Sequence, residues 1–313
     1  MISIIIPAYN EATNIVQTIE EIRSALLTVK EVNDFEIIVV DDHSTDGTFD
    51  RVKALNDEQV KALRFSHRCG SATALRAGMH EAKGDALICI SADGQDDPKA
   101  IPQMLEKWRQ HADVVWALRH SRDNEPILVK LPALTFYKIL KWLNSVQDSN
   151  IDLSRADYYL LDRKVVNAIN ECREHNTSLF GLIVWSGFNQ NYVEYERKPR
   201  RSGVSKWNFK SRLKLATDWI IAFSGLPLRI MVWIGFIIAL LGFAYAFFVL
   251  LFHLFYGHSV QGWSSIMMVM LILGGINIAM LGIMGEYLWR NLEESRKRPL
   301  YFIEKKSTDK NSR

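Results

Sequence analysis

The chain has 313 residues, 48% of them hydrophobic, and its 38 Lys and Arg against 35 Asp and Glu leave a net charge of +3. That length predicts about two structural units, and so even a charge balance excludes a dedicated nucleic-acid binder, which would carry a concentrated basic surplus. Cys69, Cys89 and Cys172 are scattered and form no CxxC pair, which excludes a disulfide framework or cysteine-held zinc and fits a reducing compartment.

Ile2–Ile6 is an apolar run closed by Pro7; it reads as a buried strand and is too short for a secretory leader. Glu11–Val29 repeats apolar residues (Ile15, Ile19, Ile22, Leu26) at helical spacing, with Asn10 as its expected cap. Glu36–Val40 is a second buried strand, followed by the polar loop Asp41-Asp42-His43-Ser44-Thr45-Asp46-Gly47. A helix over 47–55, a strand over 62–66, a helix over 71–82 and a strand over 86–90 come next. After the loop Ser91-Ala92-Asp93-Gly94-Gln95-Asp96, a helix over 98–110 and a strand over 114–118 complete the alternation.

Apolar strands alternating with amphipathic helices predict an α/β fold, a parallel sheet covered on both faces, with ligands beyond the C-terminal strand ends. Three acid- or amide-bearing loops reach that rim: Pro7-Ala8-Tyr9-Asn10-Glu11, Asp41-Asp42 and the Ser91–Asp96 stretch. GxGxxG and GxxxxGK[ST] are both missing, so a nucleotide pocket of another sort is expected. Asp93 with Gln95 and Asp96 gathers oxygen donors suited to a hard divalent cation, Mg²⁺ or Mn²⁺, although the same turn could simply cap the following helix. Asp41 and Asp42 could accept hydrogen bonds from a base edge and a ribose, or cap the next helix. Arg119 and Arg122, Arg200 and Arg201, and Lys206 supply basic groups that match phosphate oxygens or stay solvated on the surface. Asp157 precedes a helix expected near Asp162, and spacing alone gives it no role.

Trp207–Phe223 mixes Lys210, Arg212 and Lys214 with Trp207, Leu213, Leu215, Trp219 and Ile220, the pattern of an amphipathic helix on a membrane surface or on the soluble domain. Ile230–Phe252 and Ser264–Gly285 then run 23 and 22 residues without a charge, each long enough to cross a bilayer and too uniformly apolar for a soluble core helix. The connecting HLFYGHSVQGW lacks Lys and Arg, whereas Arg229 precedes the first run and Arg290, Arg296, Lys297 and Arg298 follow the second. The positive-inside rule therefore predicts a multi-pass protein of the inner (cytoplasmic) membrane with both termini in the cytoplasm. Small residues at Gly275 and Ala279 would let helices approach closely, and a homo-oligomer is expected. The expected division is 1–205, 206–228, 229–289 and 290–313: catalytic domain, juxtamembrane helix, two transmembrane helices and cytoplasmic tail.

The stretches SIIIPAYNE, IIVVDDHSTDGT, SADGQDDP, VEYERKPRRSGVSKW and GEYLWRNLEESRKRPLYFIEK, in this order and around two apolar spans, resemble family-2 polyprenyl-phosphate glycosyltransferases. That group includes undecaprenyl-phosphate glucosyl- and aminoarabinosyltransferases and dolichyl-phosphate mannose synthases. The resemblance spans roughly Ile2 to Lys305 and implies a GT-A (Rossmann-like) fold, a UDP-sugar donor, a divalent metal and a polyprenyl phosphate acceptor in the lipid bilayer. It would give Pro7, Tyr9, Glu11, Asp41 and Asp42 to the nucleoside, Ala92, Asp93 and Gln95 to metal and diphosphate, and Arg119, Arg200 and Lys206 to phosphates. Asp157 matches an aspartate proposed as the catalytic base. Ser91 departs from the usual Asp-Ala-Asp, so one carboxylate of that motif is missing. Two other readings are open: a processive polysaccharide synthase, which would want a QxxRW motif and more spans, and a membrane-tethered nucleotide-sugar binder with weak or no catalysis.

Overall fold

The computed structural model describes residues 1–32, 34–119, 156–172, 174, 177–199, 226–256 and 262–308. The chain divides into two compact units, Met1–Leu213 with Pro299–Arg313, and Lys214–Arg298. In the first unit the strands are β1 (Ile2–Ala8), β2 (Phe35–Asp41), β3 (Val60–Phe65), β4 (Ala86–Cys89), β5 (Val114–Arg119), β6 (Ala156–Asp162), β7 (Gln190–Tyr195) and β8 (Ile303–Lys306). Its helices are α1 (Ile15–Leu27), α2 (Thr48–Lys53), α3 (Ser71–Glu81), α4 (Ile101–Arg109), α5 (Arg163–Glu171) and α6 (Leu179–Trp185).

The strands form one sheet in the order β7-β5-β6-β4-β1-β2-β3-β8. Along β1 and β2 every second residue goes to a different layer. Ile4, Ile6, Ile37 and Val39 pack with Ile15, Ile19, Met104 and Leu105, while Ile5, Ile38 and Val40 pack with Ala74, Ala77, Val165 and Ile183. Both faces are thus buried under helices, which is why the central strands are apolar without alternation. The β1–β2, β1–β4, β2–β3 and β5–β7 pairs are parallel. The sheet departs from the all-parallel expectation at β6, antiparallel to β4 and β5, and at β8, antiparallel to β3. Because β6 runs backwards, its first residues lie at the rim where β1, β2, β4 and β5 end.

At the opposite rim a buried polar knot ties three strands. The Ser3 hydroxyl donates to Glu36 Oε1 at 2.8 Å and accepts from the Gly84 amide at 2.8 Å, and Lys61 Nζ donates to Glu36 Oε2 at 2.6 Å. Burial raises the Glu36 carboxyl, but hydrogen bonds from Lys61, the Lys83 amide and Ser3 outweigh it and leave the group below its ordinary value. A methyl on Gly84 would lie 2.6 Å from the Ser3 backbone nitrogen, with no flexible side chain to move aside. Gly84→Ala is therefore expected to cost about 1–3 kcal/mol by overpacking; a thermal melt of the purified chain checks it, and an unchanged midpoint would contradict it.

Asn10 does not cap the first helix. The helix starts at Ile15 with Asn14 at the cap position, and Asn10 sits at φ 54 in the preceding loop. In the second unit, α7 (Leu226–Tyr256) and α8 (Trp263–Ser295) are apolar, exposed along their length, and long enough to cross a membrane. Helix α8 runs past the expected boundary at 289, and the expected tail, 290–313, contains the edge strand β8. The segment 207–223, read as amphipathic, lies outside the described residues.

Candidate active site

The C-terminal ends of β1 and β2 are laced together. From the loop after β1, the amides of Asn10, Glu11 and Ala12 donate to Ser44 Oγ, Thr48 Oγ1 and Asp46 Oδ2 at 2.9, 3.0 and 2.9 Å. In return Asn10 Oδ1 accepts from the Thr45 amide at 2.8 Å. The left-handed backbone at Asn10 makes this exchange possible, and Asn tolerates that region better than most residues. Bonds from the Thr48 hydroxyl and from the Ala12 and Thr48 amides hold Asp46 below its ordinary pKa, against the opposing effect of burial. Pro7 sits inside β1 opposite Val40 but beyond the β1–β4 register, so its missing N–H breaks no ladder bond there.

Asp41 is fully buried. Its Oδ1 accepts from the Ser44 amide at 3.0 Å and its Oδ2 from Arg64 at 2.8 Å. Asp42, 4% exposed, accepts from the amides of Cys69 and Gly70 at 2.6 and 2.9 Å and lies 3.9 Å from Arg68 Nε. Burial pushes the Asp42 carboxyl up, against the pull of those amides and of Arg68. Both carboxylates thus hold the loops first. Asp41 has no solvent-exposed surface. Tyr9 is half-buried, and the Arg68 guanidinium lies 4.1 Å from its ring centroid. Arg68 is a rim cation that sequence reasoning missed; its signal was a polar RFSHRCG stretch leaving a buried strand.

Past β4, Asp93 is buried and its Oδ1 accepts from the Gln95 amide at 3.1 Å. Ser91 Oγ lies 2.9 Å from that same oxygen and 2.5 Å from Asp96 Oδ2. One hydroxyl proton cannot serve both, so the shorter contact to Asp96 takes it. The other Asp96 oxygen accepts from Tyr195 Oη at 2.6 Å, and burial together with Asp96 pushes the Tyr195 hydroxyl far up. Asp96 therefore clamps the loop to β7. Asp97 accepts from the Lys99 amide and caps the short 3-10 turn Pro98–Ala100. The chain after β7 joins the same loop: the Lys198 amide donates to Gln95 O at 2.9 Å and Arg197 to Gln95 Oε1 at 2.9 Å. Ala92 is buried, with its carbonyl taken by Thr18 at 3.1 Å. Arg119 ends β5, paired in register with Tyr195, and is 9% exposed.

Tyr9, Glu11, Asp42, Asp93, Gln95 and Arg119 therefore share one rim. Asp157 belongs by its backbone to the second position of β6, at that rim; its side chain lies outside what the structure describes, as do Arg122, Arg200, Arg201 and Lys206. Among the described residues no three His, Cys, Asp or Glu side chains gather as a ready metal cage. Asp93 fits a hard divalent ion that draws its other ligands from phosphate oxygens and water. Gln95 Oε1 accepts from Arg197 with one lone pair and has a second to offer such an ion.

Residues 3–160 match the family described as Glycosyl transferase family 2. The chain is 37% identical to the glycosyltransferase YkcC of Bacillus subtilis (strain 168), over 99% of its own length and 95% of that protein. It is 35% identical to the bactoprenol glucosyl transferase of Shigella phage SfV, over 96% of its own length and 97% of that protein. Among solved structures, mannosyl-3-phosphoglycerate synthase from Rubrobacter xylanophilus superposes with a TM-score of 0.50 at 17% identity, covering 73% of this chain and 74% of that one. That last likeness bears on the fold, a GT-A-like mixed sheet.

Proposed function

The chain belongs to glycosyl transferase family 2 and is a glycosyltransferase, and from that premise we propose that it moves a hexose from a UDP-sugar onto the phosphate of a membrane-borne polyprenyl phosphate, with inversion. The observation that carries this reading is the near full-length similarity to a bactoprenol glucosyl transferase, which includes the two apolar helices as well as the sheet. The product would be a lipid-linked sugar for envelope glycan or lipopolysaccharide modification.

In the proposed reaction a phosphate oxygen of the acceptor forms a bond to the anomeric carbon as the bond from that carbon to the UDP oxygen breaks. The electron pair leaves with UDP, and attack from the opposite face inverts the configuration. A phosphate monoester has a second pKa of about 6 and is largely dianionic at neutral pH, so the nucleophile hardly needs a base. Tyr9 with its Arg68 partner and the Asp42 edge would receive the nucleoside. Asp93, with Gln95, would hold a divalent cation, Mg²⁺ or Mn²⁺, which when bound neutralises charge on the departing diphosphate. Arg119, Arg200 and Lys206 would meet donor or acceptor phosphates. Asp41 would act one step back, by fixing the loop that Ser44 and Thr48 share with the nucleoside side.

Asp157 is proposed to orient the acceptor rather than to take its proton. Asp157→Asn should then raise the acceptor KM and lower kcat while the acidic limb of the pH–rate profile, set by acceptor ionisation, stays in place. Loss of that limb at unchanged acceptor affinity would assign the base role instead.

Helices α7 and α8 are proposed to cross the cytoplasmic membrane as a hairpin, with both termini inside and copies of the chain associating through the Gly275–Ala279 face. The chain leaves the sheet-bearing unit ahead of α7 and returns to it after α8, the connectivity such a hairpin needs. A panel of labelled UDP- and GDP-sugars, given to the purified chain with undecaprenyl phosphate and with or without Mg²⁺, tests the reading. Label entering the lipid fraction from a UDP-hexose, and dependent on metal, is expected. Donor binding with no transfer from any donor would contradict it and favour the tethered binder.

A further inference from the structure

Strand β8 follows the second apolar helix and closes the β3 edge of the sheet. It carries Glu304, whose Oε2 accepts from Arg64 Nε at 3.0 Å. The same guanidinium, through Nη1, donates to buried Asp41 at 2.8 Å and to the Ser44 carbonyl at 3.0 Å. Ser44 in turn holds the Asn10 amide of the loop after β1. One planar fork therefore joins the chain that has come back from the helices to both loops of the nucleoside rim. His43, in the same loop, places Nδ1 3.1 Å from the Phe65 carbonyl and 3.9 Å from Glu304.

We infer that Glu304 is a positioning residue for sugar transfer: through Arg64 it holds the loop after β2 in its donor-receiving form, so that donor binding depends on the post-helix strand being docked. The inference rests on the transferase reading above. It asks nothing of Glu304 as an anchor of β8, because other groups do that. Ser307 exchanges bonds with the Ala62 backbone at 2.9 and 2.8 Å. The Ser66 amide donates to the Phe302 carbonyl at 3.0 Å, Lys306 bonds Glu81 at 2.7 Å, and Tyr301 stacks on Phe65 at 5.1 Å between centroids. Removing the Glu304 charge leaves these in place and reduces its charge-assisted bond from Arg64 Nε to a neutral one, which loosens one prong of the guanidinium. A docked strand with a loosened loop is the expected state.

The test uses the full chain in detergent, amide hydrogen exchange over residues 41–48, and affinity for UDP as the probe. In Glu304→Gln exchange at 41–48 should rise roughly threefold, the size of a half-exposed ion pair. UDP should weaken by the same factor, with the midpoint of thermal unfolding and the protection of β1 and β4 unchanged. Glu304→Asp should restore part of both. If the loop loosens in Glu304→Gln but neither the parent nor this variant binds UDP, the linkage stands and the UDP-donor reading fails. Unchanged exchange at 41–48 in Glu304→Gln overturns the inference, whatever happens to UDP.

Discussion

Asp93→Ala is expected to lower kcat/KM for sugar transfer by about 10²–10³-fold, the usual loss when one group that stabilises developing charge is removed. The departing UDP carries the charge that the reaction must accommodate, and Asp93 is the buried carboxylate on the turn after β4 that fits a diphosphate-bound cation. Asp96 is already committed to holding the loop, with one of its oxygens bonded to Tyr195 and the other to Ser91. The variant should also lose the metal-dependent part of UDP affinity while keeping the metal-free part. Steady-state kinetics with Mg²⁺ titration checks both, and a rate within threefold of the parent would contradict the assignment.

Arg64→Met is expected to cost about 3 kcal/mol of stability, at the lower end for breaking a buried ion pair because the Arg64 side chain is 18% exposed. Methionine keeps much of the stem volume, so the loss is that of a compensating charge beside a fully buried carboxylate. For a unit of this size the unfolding midpoint should fall by roughly 6–12 °C. Asp41→Asn added to Arg64→Met should recover a good part of that fall, since the orphaned charge is then gone. A double variant no more stable than Arg64→Met would show that Arg64 matters for packing and not for Asp41.

The central strands were legible because burial on both faces leaves unbroken apolar runs such as IIVV and ALICI between turn residues. The same rule explains what was missed. Strand β7 is an edge whose QNYVEY alternates weakly, and in β8 the IEKK stretch is nearly all charge. Nothing local in IEKK specifies a strand; its register is set by distant partners, Arg64, Glu81 and Ala62. The rim loops were found by their acids, but sequence cannot say which way an acid points. Asp41 turned inward to Arg64, Asp42 to two backbone amides, and Asp96 to Tyr195, and in each case the partner is more than twenty residues away.

Ser91 illustrates the same limit at one atom. Read as a motif, it is a missing carboxylate. In the structure its hydroxyl sits between Asp93 and Asp96 and ties the turn together. A third acid there would crowd like charges against two buried carboxylates, so Ser91 fits the turn electrostatically. The residue that departs from the expected Asp-Ala-Asp is part of what shapes the proposed metal loop.

Sugar transfer is tested most directly by following two labels at once in liposomes that contain the full chain and undecaprenyl phosphate. The UDP-hexose that the donor panel selects is supplied with one isotope in the sugar and another in the β-phosphate. Transfer onto the acceptor phosphate puts the sugar label in the lipid phase and leaves the phosphate label in water as UDP. Both labels entering the lipid, or neither, would contradict it.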